Sequence, residues 1–162
     1  MKNKLEKYAL ISEIVGGIAV VISLIYVGVG VRQNTEALRV ANHQKLVAMD
    51  LEKNAWFRNA DFAALYVLAR DGFEKLSETQ RLQYNTFIAD TLNAWEFALI
   101  THERGAMEDN IWNGWDGFYR GEMKTEPFRR FWRTNGANFS PAFRAYVDAV
   151  LKGDAITASD RE

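Results

Sequence analysis

An uncharged apolar segment near the amino terminus constrains the fold more than any other feature. Residues 14–31 form eighteen consecutive positions without Asp, Glu, Lys or Arg, and Glu13 and Arg32 bracket them. As an α-helix at about 1.5 Å per residue, this segment would be roughly 27 Å long. The hydrocarbon core of a bilayer is about 30 Å thick. The segment therefore predicts one transmembrane helix at 14–31, preceded by an amino-terminal tail at 1–13.

A cleaved signal peptide is the main alternative for this segment. Lys2, Lys4 and Lys7 would supply its basic region. The apolar run is longer than the usual ~7–15 residues, and no convincing A-x-A site follows it. Gly28 and Gly30 nevertheless have the spacing of small residues at a cleavage site, so cleavage stays open. A core helix of a soluble protein is disfavoured because the run is apolar on every side.

Small residues recur on one face of the predicted span, at helical spacing. They are Ser12, Gly16, Ala19, Ser23 and Gly30. In lipid, small side chains let a second helix approach closely, and that packing drives association. We expect this face to contact another membrane protein or a second copy of the chain. The alternative is that Gly and Ser are simply common in membrane helices.

The basic residues on the two sides of the span are balanced. Three basic residues precede it, Lys2, Lys4 and Lys7, and three follow it, Arg32, Arg39 and Lys45. The positive-inside rule therefore does not distinguish the two membrane orientations. Moving a positive charge outward against the membrane potential costs about 2.3 kcal/mol per 100 mV. Translocating a short tail with three lysines therefore costs free energy, which favours a cytoplasmic amino terminus.

The remainder of the chain reads as helices joined by short turns. Ser77 and Gln80 have the spacing of a capping box, and Ser140-Pro141 begins another helix. Asp71-Gly72 and Gly153 predict helix ends. The predicted fold is all-α, with one amino-terminal transmembrane helix continuing into a stalk, then a small helical bundle. The stalk is predicted at 32–58, the helical domain at 59–154 and a disordered tail at 155–162.

The third helix of this bundle, starting at Ser77, is predicted to be its centre, with one apolar face at helical spacing. That face contains Tyr84, Ile88, Thr91, Leu92, Trp95 and Leu99. His102 continues the face and could serve a hydrolase as a base, with Glu96 beside it. The favoured interpretation is a core-edge histidine that donates to a backbone carbonyl. Glu96 and Asp90 are expected to pair with arginines.

Composition excludes several classes of chemistry. The absence of Cys rules out disulfides, thiolate metal sites and a cysteine nucleophile, and two His leave little material for a metal site. Twenty basic against 21 acidic residues argue against nucleic-acid binding. A calcium-loop pattern from Asp109 fails because Ile111 and Arg120 occupy ligand positions. We therefore expect no cofactor, no metal ion and no catalytic residue.

Aromatic side chains are concentrated at residues 112–132. Most of them are expected to fill the core, because large rings bury much area in a small bundle. Some are expected to form an interaction surface with neighbouring arginines. The candidate surface is Trp112, Trp115, Arg129, Arg130, Trp132 and Arg133.

Four motifs together give the chain a likeness to a known group. They are Val-Arg-Gln-Asn-Thr at 31–35, Leu-Ser at 76–77, the Trp-rich segment at 111–115, and Phe-Ser-Pro-x-Phe-Arg-x-Tyr-Val at 139–147. As a set, they resemble an uncharacterised family of small bacterial single-pass membrane proteins. The resemblance implies a location in the bacterial inner membrane and this order of helices. The group has no established activity, so no catalytic residue is carried over.

The sequence therefore predicts a non-enzymatic, single-pass membrane protein that serves as an accessory or interaction subunit of a membrane complex. Its expected partners are the lipid bilayer and another membrane protein or a second copy. The alternative is a membrane-tethered sensor or ligand-binding module with an aromatic-lined pocket between the third and fourth helices. A third hypothesis is an enzyme that uses His102 and Glu96.

Overall fold

The computed structural model describes residues 2–153, with side chains described except at residues 2–6 and 9. Over these residues the regular secondary structure is helical throughout, which confirms the all-α prediction. The α-helices are α1 (Lys2–Ala55), α2 (Ala60–Gly72), α3 (Glu78–Glu103), α4 (Asp109–Met123), α5 (Glu126–Asn135) and α6 (Pro141–Lys152). Short 3₁₀ helices lie at Trp56–Arg58, Phe73–Lys75 and Gly136–Asn138. The predicted tail at 155–162 lies outside the described residues.

The chain divides into two compact units after Val40. The predicted boundaries of tail, span, stalk and domain stay predictions. α1 continues without a break from the first unit into residues 41–55 of the second. In the first unit, α1 is long and apolar enough to cross a membrane. Its most apolar 18-residue window has a mean hydropathy of 2.5, and 0% of that window is buried.

The second unit is built around α3, as its sequence predicts. α3 contacts α2, α4, α5 and α6. All six residues of its predicted apolar face are buried, with Tyr84, Ile88, Trp95 and Leu99 at 0% exposure. Phe97 and Ile100, on other sides of α3, are half-buried. A helix covered on several sides is apolar over most of its circumference, which the sequence of α3 already indicates.

Side-chain caps fix several helix starts. The Ser77 hydroxyl accepts from the Gln80 amide at 3.3 Å, and the Gln80 side chain accepts from the Ser77 amide at 2.9 Å, which confirms the capping box. Asn59 caps α2 in the same way, by accepting from the amides of Asp61 and Phe62.

Both helix ends predicted at glycine are confirmed, since α2 ends at Gly72 and α6 ends directly before Gly153. Gly153 has φ +80°, in the left-handed region that glycine tolerates. Gly72 is different, because its φ of −176° is extended backbone and the chain enters a 3₁₀ turn directly. Gly72 therefore ends α2 without a left-handed glycine cap.

Removing the cap of α3 should weaken the second unit measurably. Ser77→Ala should lower the free energy of unfolding by about 1 kcal/mol, because one amide at the helix start loses its acceptor. The five tryptophans all lie after residue 55, so their fluorescence during urea titration of the full chain in detergent reports on this unit. Thr86→Ala is the control, since exposed Thr86 lies in the middle of α3. Equal losses in both variants would contradict the capping assignment.

Candidate functional site

A cavity of about 540 Å³ lies between the last turns of α1 and one face of α4, within the second unit. Residues of α1 border it on one side: His43, Asp50, Lys53 and Asn54. Residues of α4 border it on the other: Asn110, Ile111, Gly114, Trp115 and Phe118.

The cavity lies at a different helix pair from the predicted pocket between the third and fourth helices, which stays a prediction. Where α3 meets α4, the Trp95 ring of α3 stacks on the Tyr119 ring of α4 with centroids 5.7 Å apart. The wall facing α4 across the cavity comes from α1, which the sequence places in a stalk. Leu46, within the predicted stalk, is 0% exposed and belongs to the core.

A buried ion pair lies at the cavity. The Lys53 side chain is only 6% exposed, and its Nζ lies 2.8 Å from Oδ1 of Asp50. The same ammonium lies 4.4 Å from the centroid of the Phe118 ring and 5.6 Å from that of Tyr119. Oδ2 of Asp50 accepts a hydrogen bond from the side-chain amide (Nδ2) of Asn54 at 2.8 Å. A buried charge needs such partners, so carboxylate and ring faces together hold this lysine in place.

The α4 side of the cavity is apolar and incompletely covered. The Trp115 ring is half-buried and stacks on Tyr119 at 6.1 Å. Phe118 remains 46% exposed. Gly114 also borders the cavity, and a Cβ built on it would meet nothing within 4 Å. The cavity therefore combines a fixed pair of opposite charges with an accessible aromatic wall.

A second polar centre, at Asp116, is buried in the core. Asp116 is 8% exposed and accepts hydrogen bonds from Trp95 Nε1 at 3.0 Å, the Tyr146 hydroxyl at 2.7 Å and Arg120 Nε at 2.6 Å. Arg120 also donates to the Tyr146 hydroxyl at 2.6 Å. Burial, followed by the hydrogen bond to Asp116, raises the pKa of Tyr146. This network ties α3, α4 and α6 together, and sequence reasoning missed it.

A smaller polar cluster connects α2 with α4. Arg70 donates a short hydrogen bond to the Tyr66 hydroxyl and lies 3.4 Å from the Glu122 carboxylate. Burial, followed by the negative charge of Glu122, raises the pKa of Tyr66. Because Arg70 is partly exposed, the ion pair adds little stability by itself.

The residues of the enzyme hypothesis serve structural contacts. His102 Nε2 lies 2.9 Å from Asp109 Oδ1, so its predicted backbone-carbonyl partner was wrong. The His102 ring stacks on Trp112 with centroids 5.0 Å apart. Glu96 accepts from the Ser140 amide at 2.8 Å, so it holds the start of α6 instead of pairing with an arginine. Asp90 is exposed, and desolvation followed by the charge of Glu52 raises its pKa.

The candidate interaction surface is only partly accessible. Trp112 and Trp132 are 5% and 6% exposed and belong to the core. The Trp132 ring packs on Phe139 and Phe143, and its Nε1 donates to Asp148. Burial therefore removes these two tryptophans from any accessible surface.

The other four residues of that surface are reachable by solvent. Trp115 is half-buried, and Arg129, Arg130 and Arg133 are exposed. Arg129 and Arg133 pair with Glu126, and the hydrogen bond from Arg133 lowers the pKa of Glu126. Arg130 lies over the Phe73 ring at 5.2 Å. A partner for these residues stays a prediction.

The small-residue face of α1 is uncovered. Its five members, Ser12, Gly16, Ala19, Ser23 and Gly30, are all exposed. The hydroxyls of Ser12 and Ser23 donate to the carbonyls of Tyr8 and Ala19, each at 2.9 Å. These hydroxyls are thus satisfied inside the helix, and the face is free to pack.

Within residues 2–153, the part of the chain that the structure describes, no group of three or more His, Asp or Glu could hold a metal ion.

The Asp116 network gives a direct stability test. Tyr146→Phe should lower the free energy of unfolding by about 1.5–3 kcal/mol, because a buried carboxylate loses a donor. Tyr84→Phe is the matched control, since the Tyr84 hydroxyl is buried and has no hydrogen-bond partner among the described residues. Urea titration followed by tryptophan fluorescence measures both. If the two variants lose the same amount, the network does not stabilise the fold as described.

Comparison with known proteins gives no match. No family model matches the chain, and neither a curated protein nor a solved structure is similar to it. The resemblance to small bacterial membrane proteins therefore stays a prediction. The functional argument rests on the residues and their geometry.

Proposed function

We propose that this chain is a single-pass membrane protein that acts as a non-enzymatic interaction subunit of a membrane complex. The observation that carries the proposal is the apolar window of α1, with a mean hydropathy of 2.5 and 0% of its residues buried. Among the described residues of the first unit, none covers this surface. A bilayer is the solvent that suits it.

The free energies involved favour lipid over water. Fully burying one Ile, Leu or Val side chain contributes about 1.5–3 kcal/mol. In α1, Ile18, Ile22 and Leu24 are 55%, 61% and 66% exposed, and they are three of many such residues. The backbone hydrogen bonds of a helix are internal, so a bilayer can accept it without leaving polar groups unsatisfied. No charge in residues 14–31 opposes insertion.

Lateral association through the small-residue face is the second part of the proposal. Apolar side chains gain nothing by meeting each other in lipid, so packing and close backbone approach decide which face associates. Gly16 and Gly30 have open space where a side chain would begin. The bound helix belongs to another membrane protein or to a second copy. We place the chain in the bacterial inner membrane with a cytoplasmic amino terminus.

The contacts of His102 and Glu96, the two residues of the enzyme hypothesis, support a non-enzymatic role. His102 is held by Asp109 and Trp112, and Glu96 holds the first turn of α6. Neither residue borders the cavity between α1 and α4. These contacts account for both residues as parts of the fold.

A ligand-binding module is the second candidate function, and the cavity favours it. Its volume of about 540 Å³ lies within the range of small-molecule sites, about 300–1,000 Å³. Such sites combine an apolar wall with a few polar groups at fixed positions. Phe118 and Trp115 supply the wall, and Asp50 and Lys53 supply the polar groups.

Photocrosslinking within native membranes tests the association. Tyr26, at 80% exposure, lies beside the small-residue face, and Val21 lies on the opposite side of the helix. A benzoylphenylalanine at position 26 should give one crosslinked protein product, because it lies at the edge of the packing face. The same group at position 21 should give lipid adducts only. Protein products of equal yield from both positions, or from neither, would contradict association through this face.

A further inference from the structure

We propose that the cavity between α1 and α4 binds a zwitterionic small molecule of the apolar α-amino acid class. The carboxylate of the ligand is bound by Lys53, its ammonium group is bound by Asp50, and its apolar side chain lies on Trp115 and Phe118. The inference rests on the second candidate function, the ligand-binding module. It is independent of membrane anchorage, because the cavity lies within the second unit.

The ion pair keeps binding capacity on both of its members. The Lys53 ammonium has three N–H donors, and Asp50 is its one carboxylate partner among the ion pairs of the described residues. Its other close contacts are ring faces. Asp50 accepts one hydrogen bond on each oxygen, from Lys53 and from Asn54, so each oxygen has a lone pair left. One donor group and one acceptor group therefore lie side by side at the cavity.

This charge arrangement selects against ions of a single sign. An anion that reaches Lys53 is repelled by Asp50, whose carboxylate lies 2.8 Å from the ammonium. A cation that reaches Asp50 is repelled by Lys53 for the same reason. A zwitterion places each of its charges against the opposite one. An α-amino acid carries its two charges on groups bonded to the same carbon atom, so it matches a pair held this closely.

The apolar wall defines the rest of the ligand. Phe118 is 46% exposed and Trp115 is half-buried, although each lies on a helix whose other large rings are at most 5% exposed. Gly114 borders the same cavity as these rings and has open space where a side chain would begin. An aromatic or large aliphatic side chain fills that space and covers both rings. The cavity volume leaves room for water around such a ligand.

Calorimetry on the full chain in a non-ionic detergent tests the inference, because such a detergent supplies no zwitterionic headgroup. The probes are L-phenylalanine, phenethylamine, which lacks the carboxylate, and 3-phenylpropionic acid, which lacks the ammonium. L-phenylalanine should bind at least tenfold more tightly than either analogue. Asp50→Asn should remove its advantage over 3-phenylpropionic acid, because the acceptor for the ammonium loses its charge.

Two glycine variants distinguish loss of ligand binding from loss of folding. Gly114→Leu should abolish binding of L-phenylalanine, because the leucine side chain occupies space at the cavity wall that the ligand side chain needs. Gly117→Leu is the matched control, since Gly117 has equal open space but does not border the cavity. Binding should survive there, and tryptophan fluorescence should show equal unfolding midpoints for both variants.

The possible outcomes distinguish failure of the zwitterion inference from failure of the ligand-binding module on which it rests. Preference for L-phenylalanine that is lost in Gly114→Leu and kept in Gly117→Leu supports the inference. If phenethylamine or 3-phenylpropionic acid binds as tightly, the zwitterion inference is overturned while the ligand-binding module stands. If no probe binds to the folded chain, both fail.

Discussion

The membrane location and the interaction proposed for this chain depend on one uncharged helical segment that the fold leaves uncovered. None of the most apolar window of α1 is buried, and large apolar side chains project from α1 outside its small-residue face. Its serine hydroxyls donate to carbonyls one turn earlier, so these polar groups have their hydrogen bonds inside the helix. Its apolar side chains have no cover among the described residues of the first unit. Lipid and a second helix are the environments that meet it, and the interaction proposal follows from that need.

The second unit uses its aromatic residues mainly to fill a core around α3. Trp95 is 0% exposed, with Tyr119, Phe143 and Tyr146 around its ring. The core also holds a charge, because the Trp95 indole and the Tyr146 hydroxyl both donate to Asp116. A buried carboxylate with several donors fixes the relative positions of three helices. The rings left partly open, Trp115 and Phe118, border the cavity, where a ligand could cover them.

Local signals in the sequence predicted local structure well. The Ser77 capping box and the left-handed Gly153 each depend on residues within a few positions, and α3 shows its buried face through spacing alone. Pairings across the fold had no such signal. Asp116 finds its donors 21 and 30 residues away, and nothing in a short window indicates either. Nothing in a short window indicates that residues 41–55 and α4 border a common cavity.

Extraction of membranes with alkaline carbonate tests the central claim most directly, when combined with the mass of the recovered chain. The account predicts that the full-length chain, with its first residues intact, stays in the membrane pellet. A variant with Ile18→Asp and Ile22→Asp should move to the supernatant, because a charge at the centre of a span costs about 2.5–3.5 kcal/mol. Leu82→Asp, at a site 68% exposed on α3, should stay in the pellet. Full-length chain in the supernatant, or a chain that begins after Gly30, would contradict the account.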